Sequence, residues 1–203
     1  LIFLRYESGR EYVRLYPVNT IILLACIAMF AIELIIGGVN GAFGTDNLLK
    51  LGAITNVPEY SGFWRYVAAL FLHGGWSHLL FNLFALFVFA PPLEKIFGSW
   101  RYAAFYLLAG VLGNLAAVWL ASGPWMGVGA STAIYSVYGA YLYICLFQRD
   151  LLDSGSRTTV YGILITGLIY SFLVPHIGYW AHIGGLAAGF VLYRLLGKPL
   201  GRA

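Results

Sequence analysis

Ser131, His182, His78 and Asn82 are the residues whose types and spacing could do chemistry. Ser131 follows an uncharged, glycine-rich stretch, Gly127-Val128-Gly129-Ala130, and opens an apolar run that lasts to Phe147. A serine hydroxyl is a weak nucleophile until a base accepts its proton, and His182 could be that base. A helix starting at Ser131 would point backbone N–H groups and its positive end at the same place, which favours a developing oxyanion. His78 and Asn82 are spaced i,i+4, so they share one helix face and could donate side-chain N–H groups to that oxyanion. Tyr135 lies one turn after Ser131 and could hold the imidazole by stacking. The run that carries His182 contains no Asp or Glu, so a carboxylate to orient the histidine is not apparent. Each residue also has a plainer reading: Ser131 as a helix cap, His182 as a helix–helix hydrogen-bonder, His78 and Asn82 as packing glue or part of a transport path. What separates the readings is whether the chain brings these groups to one place.

The chain has 203 residues, 61% hydrophobic and 10% charged. Soluble domains are nearer a quarter charged, so this chain is read as an all-α integral membrane protein. The net charge of +4 comes from single basic residues in connecting segments. No basic patch interleaved with aromatics appears, which argues against a nucleic-acid partner. Cys26 and Cys145 sit inside apolar runs and read as small buried hydrophobes rather than a disulfide. No His/Cys cluster has metal-ligand spacing, so neither metal nor cofactor is expected. The first apolar run is too long for a cleavable signal peptide and lacks its cleavage site.

Six spans position the polar groups, at about 18–36, 73–93, 101–120, 131–147, 158–174 and 179–196. Glu33 sits near the far end of the first, where it can reach the interface. Pro91-Pro92 marks the end of the second, and Glu94, Lys95 and Arg101 follow in a short connection. His73 reads as a solvated or capping residue at the start of the second span. Residues 37–72 are too polar and broken to span, and their apolar content predicts packing on or partly into the bilayer surface. A long loop of this kind is usually functional. Pro175-His176-Ile177-Gly178 reads as a tight turn, with no role for His176. Residues 1–17 and 197–203 are terminal segments of a single domain covering 1–203. Ten of the twelve Lys and Arg residues fall in the N-terminal segment, two links and the tail. By the positive-inside rule both ends are cytoplasmic. Spans two, four and six then start in the outer leaflet. At about 1.5 Å per residue, His78 and His182 lie ~5–8 Å below the boundary, with Asn82 a turn deeper. Gly185-x-x-x-Gly189, and Gly139 two turns below Ser131, predict close packing of spans four and six. Asn114 reads as glue.

These residues resemble the rhomboid family of intramembrane serine proteases, over about 64–189. Trp64-Arg65 is similar to the family's pair in the first outer loop. His73, His78 and Asn82, within His-Gly-Gly-Trp-Ser-His-Leu-Leu-Phe-Asn, are similar to its second-span signature. Leu93-Glu94-Lys95 with Gly98, Gly129-Ala130-Ser131, Tyr135, and Ala181-His182-Ile183-Gly184-Gly185 match further motifs in the right order. The resemblance implies a six-helix rhomboid-like bundle with a partly embedded first outer loop. It implies hydrolysis of peptide bonds in or beside transmembrane helices of protein substrates, in a bacterial cell membrane. Ser131 would be the nucleophile and His182 the general base, working as a dyad. His78, Asn82 and the Ser131 backbone N–H would hold the oxyanion, with Tyr135 and Gly129 in support. Substrates would enter past span five, where Gly162 and Gly167 could ease bending.

One residue departs from the family pattern. Position 132 is Thr where the family usually has Gly, and a β-branched side chain is bulkier and stiffer. It would either crowd spans four and six or bond back to its own helix. This motivates an alternative, an inactive rhomboid-like protein that binds membrane clients. A small transporter is a third reading, against which the polar residues cluster in one leaflet.

Overall fold

The computed structural model describes residues 1–174 and 177–197. Pro175 and His176 of the expected turn, and Lys198 and Arg202 of the basic tail, lie outside the described residues. In chain order the elements are α1 (Gly9–Leu15), α2 (Pro17–Gly41), α3 (Thr45–Leu51), β1 (Ile54–Thr55) and α4 (Arg65–Ala68). Then come α5 (Trp76–Phe97), α6 (Ser99–Leu120), β2 (Met126–Gly127), α7 (Ser131–Phe147), α8 (Ser154–Leu173) and α9 (Tyr179–Leu196). The chain is mostly helical, as its composition predicts. It departs from all-α in one detail, a short antiparallel pairing of Ile54 with Gly127 and Thr55 with Met126.

Among the described residues, three helices are long and apolar enough to cross a membrane: Pro17–Gly38, Trp76–Phe97 and Ser99–Leu120. α7 is apolar but has only 17 residues. Large apolar side chains cover the outside, including Ile21, Ile35, Phe81, Trp119 and Leu173, each more than 60% exposed. A soluble monomer does not present this many, whereas a bilayer solvates them. The interior is aromatic instead, with Phe97, Tyr102, Phe105, Tyr106 and Tyr141 fully buried. Cys26 and Cys145 are buried and unbridged.

Pro91 and Pro92 do not end α5, which continues to Phe97. A proline lacks the N–H that would reach back four residues, so Pro91 strands the Phe87 carbonyl. The Tyr12 hydroxyl donates to that carbonyl at 3.3 Å. Asn19 Nδ2 donates to Leu86 O at 3.0 Å, and the Tyr141 hydroxyl to Phe89 O at 2.7 Å. Tyr12 of α1 thus replaces the donor that Pro91 removes, and Asn19 and Tyr141 add donors to neighbouring carbonyls of the same stretch. Glu94 is likewise no connection residue. It is buried in α5 and accepts the Val18 and Asn19 backbone N–H groups at 3.0 and 2.8 Å. Those are orphan donors of the first turn of α2, where Pro17 already lacks one, so a side chain from another helix caps α2.

α7 is the central helix, with most of its residues buried. Its most extensive contact is with α9, and α9 packs nearly as closely on α6. The approach is backbone to backbone. A Cβ on Gly139 would run into the Leu186 carbonyl, and one on Gly189 into the Ser136 carbonyl. Small residues at this spacing let membrane helices touch at main-chain level. The segment between α2 and α5 is folded rather than loose. Arg65 is buried within it and donates to the Leu49 and Ala53 carbonyls at 2.6 and 3.0 Å. Its guanidinium also lies 4.7 Å from the Trp64 ring. The β1–β2 pairing ties this segment to the strand just before Ser131.

Candidate active site

Ser131 is the first residue of α7, and no side chain caps that helix. The first-turn N–H groups of α7 therefore have no intrahelical acceptor and face the loop. Gly129 sets the loop's path. Its φ of +127° is a conformation L side chains rarely adopt, and its N–H donates to Ala69 O at 2.8 Å. The folded 42–72 segment thus holds the loop that presents Ser131.

His182 lies in the first turn of α9, and its Nε2 is 2.9 Å from Ser131 Oγ. The Tyr135 ring stacks on the imidazole with centroids 4.1 Å apart and planes 6° apart. Stacking and the hydrogen bond together fix both the plane and the rotation of the ring. His182 is buried and Ser131 half-buried.

His78, near the start of α5, approaches from the other side. Gly74 N–H donates to its Nδ1 at 3.3 Å. In a neutral imidazole the second nitrogen then carries the hydrogen, so His78 Nε2 is a donor. A Cβ on Gly129 would stand 2.6 Å from His78 Nε2 and 3.5 Å from Ser131 Oγ. The space beside the Gly129 Cα is therefore bordered by a nucleophile-type oxygen and an N–H donor, and only a glycine leaves it open. Asn82 is buried one turn along α5, where its Nδ2 donates to the His78 carbonyl at 2.7 Å. One of its two amide hydrogens is thus used within its own helix, and one remains.

Thr132 settles into a site made for it. Its hydroxyl donates to Asn114 Oδ1 at 3.1 Å rather than to its own helix. Its methyl group occupies the place where a Cβ on Gly113 would fall. Asn114 passes the connection on, donating to Tyr66 O at 2.9 Å. Position 132 is thus accommodated by Gly113 and Asn114 of α6, not by crowding α9.

Two further corrections concern Glu33 and His73. Glu33 is fully buried rather than interfacial, and its Oε1 accepts the His73 backbone N–H at 2.8 Å. His73 is also fully buried, with Nδ1 3.2 Å from Phe71 O and its ring edge-on to His78 at 5.2 Å. The sequence gives no sign of this pairing, because 40 residues separate its members. Ser171 on α8 carries no sequence signal either. Its Oγ is 2.7 Å from His182 Nδ1 and 3.0 Å from the Tyr135 hydroxyl. A hydroxyl in an apolar helix is too common a feature to stand out. Only its distance from the histidine marks it.

The sequence also matches known proteins. The rhomboid-domain sequence model matches residues 60–199. YdcA, a rhomboid-family protein of Bacillus subtilis (strain 168), is 32% identical over 94% of this chain and 94% of its own length. Rhomboid protease GluP of the same organism is 34% identical over 90% of this chain. RHOMBOID-like protein 5 of Arabidopsis thaliana is 34% identical over 75%. The chain spans 36% of GluP and 50% of the Arabidopsis protein. A match over most of the chain, together with the apolar helices, shows that this integral membrane protein belongs to the rhomboid family.

Proposed function

We propose that the protein is an intramembrane serine protease that cleaves peptide bonds in or beside the transmembrane helices of its substrates. The observation that carries this reading is the 2.9 Å approach of His182 Nε2 to Ser131 Oγ next to the open space at Gly129. Ser131 Oγ attacks the scissile carbonyl carbon while its proton passes to His182 Nε2. The carbonyl oxygen becomes an oxyanion and occupies the space beside Gly129. His78 Nε2–H, the remaining Asn82 amide hydrogen and the Ser131 backbone N–H donate to it. Removing one such donor typically lowers kcat by about 10²–10³. The C–N bond then breaks, and the leaving nitrogen takes the proton from His182 Nε2. Water, with His182 again as base, releases the acyl group from Ser131 and restores the hydroxyl.

The same reading takes α2, α5, α6, α7, α8 and α9 as six spans, with both ends cytoplasmic and the 42–72 segment partly embedded. Ser131, His78 and His182 then share a depth in the outer leaflet, and substrate helices enter past α8. The name of GluP, a rhomboid protease, supports the reading. Thr132 does not argue against it, since its side chain engages Asn114. The test is cleavage of a single-span model substrate in proteoliposomes. Wild type is expected to release two fragments, and Ser131→Ala and His182→Ala to release none. No cleavage by wild type, with specific retention of the substrate, would favour the client-binding alternative.

A further inference from the structure

We propose that Ser171 is a positioning residue that fixes the tautomer of His182, completing a Ser131–His182–Ser171 relay; this rests on the protease reading above. The hydrogens at Ser171 can be counted. Ser171 Oγ has three partners: the Gly167 carbonyl at 2.7 Å, the Tyr135 hydroxyl at 3.0 Å and His182 Nδ1 at 2.7 Å. A hydroxyl has one hydrogen and two lone pairs. The Gly167 carbonyl can only accept, so the Ser171 hydrogen goes there. Both lone pairs are then left for donors. The Tyr135 O–H supplies one, and the other is filled by a hydrogen on His182 Nδ1. With Nδ1 protonated, neutral His182 has its free lone pair on Nε2, facing Ser131 Oγ at 2.9 Å. That is the only neutral form able to take the serine proton.

The surroundings are built for this arrangement. Ser171 is 1% exposed, so its hydroxyl is shielded from bulk water beside Nδ1. Gly167 admits the Tyr135 hydroxyl, because a Cβ there would stand 2.7 Å from it. The cluster draws on α7, α8 and α9 at once, so the hydrogen bonds of Ser171 also register α8 against the histidine. As the proton arrives on Nε2, the imidazolium keeps its Nδ1–H bond to Ser171 Oγ. A neutral acceptor supports that charge less than a carboxylate would, but in a buried site it spares Nδ1–H from going unpaired.

The test combines kinetics with histidine nitrogen NMR on the full chain in detergent. In Ser171→Ala, kcat for the model substrate is expected to fall about tenfold with KM within twofold, the loss of one neutral hydrogen bond in the transition state. Ser171→Thr keeps the hydroxyl and is expected to recover most of the rate. In ¹⁵N-histidine spectra, His182 of wild type shows Nδ1 protonated and Nε2 bare, and Ser171→Ala shifts weight to the other tautomer. Retention of kcat within twofold in Ser171→Ala overturns the proposal, as does a Ser171→Thr enzyme as slow as Ser171→Ala. So does a wild-type His182 protonated on Nε2. The NMR arm stands without turnover, so failure of the protease reading is distinguishable from failure of this one.

Discussion

Replacing Thr132 with the family's usual glycine is expected to destabilise the protein without activating it. The Thr132 side chain is buried, donates to Asn114 Oδ1 at 3.1 Å, and fills the place left by Gly113. Inside a membrane the hydrophobic term between helices is weak, so the loss is one of packing and hydrogen bonding. An interhelical hydrogen bond there averages about 0.6 kcal/mol. Deleting the side chain leaves a void of roughly 50 Å³, which at about 24 cal/mol per Å³ costs ~1.2 kcal/mol. A glycine is worse than threonine within a helix by about 0.4 kcal/mol. Thr132→Gly should therefore lose about 2 kcal/mol, and Thr132→Ser roughly half of that, because the hydroxyl survives. The assay is equilibrium unfolding in mixed micelles, with turnover of the model substrate measured alongside. A Thr132→Gly protein of unchanged or higher stability, or one cleaving more than tenfold faster, would refute the view that Thr132 is part of the packing.

Other predictions follow from the same contacts. Gly129→Ala forces a positive φ on an L-residue, at about 1–2 kcal/mol, and sets a methyl 2.6 Å from His78 Nε2, so kcat should drop at least a hundredfold while Ser131 and His182 remain in place. Steady-state kinetics against thermal stability separates the two effects, and a tenfold or smaller loss would count against an oxyanion site at Gly129. Glu94→Ala removes the acceptor of two buried N–H groups at the start of α2 and should cost about 2–4 kcal/mol by unfolding in mixed micelles. Glu94→Gln, which keeps one acceptor oxygen, should cost less. Asp153 caps α8, and hydrogen bonds from the Ser156 hydroxyl and backbone N–H hold its pKa at about 2, below the ordinary 3.8. A lowered folded value means that this contribution is complete above pH 3.8 and is lost as pH falls toward 2. Thermal unfolding against pH should show a loss in that window, and Asp153→Asn should remove it.

How much of this was legible in the sequence depended on whether a feature is local. Helix positions were legible, because apolar runs of this length report themselves. The pairing of Ser131 with His182 was legible through motifs in a fixed order, and the glycines at 139, 185 and 189 carried the α7–α9 approach in their spacing. What stayed hidden was set by partners distant in sequence. Pro91-Pro92 reads as a helix end because nothing nearby shows that Tyr12 resupplies the Phe87 carbonyl. Glu33 reads as interfacial because its acceptor role depends on the main chain at His73. Thr132 reads as a liability until Gly113 and Asn114 on α6 are seen around it. Element ends shifted for local reasons: α8 starts at Ser154 rather than 158 because Asp153 accepts the Ser156 N–H and so begins the helix early.

The proposed chemistry makes Ser131 a nucleophile activated by His182. Its most direct measurement is covalent labelling of the detergent-solubilised protein with a fluorophosphonate, read by intact mass and by mapping the modified peptide. A single adduct is expected, located on Ser131, absent in Ser131→Ala and strongly slowed in His182→Ala. An adduct formed equally well in Ser131→Ala, or a wild-type protein that stays unmodified while correctly folded, would contradict it.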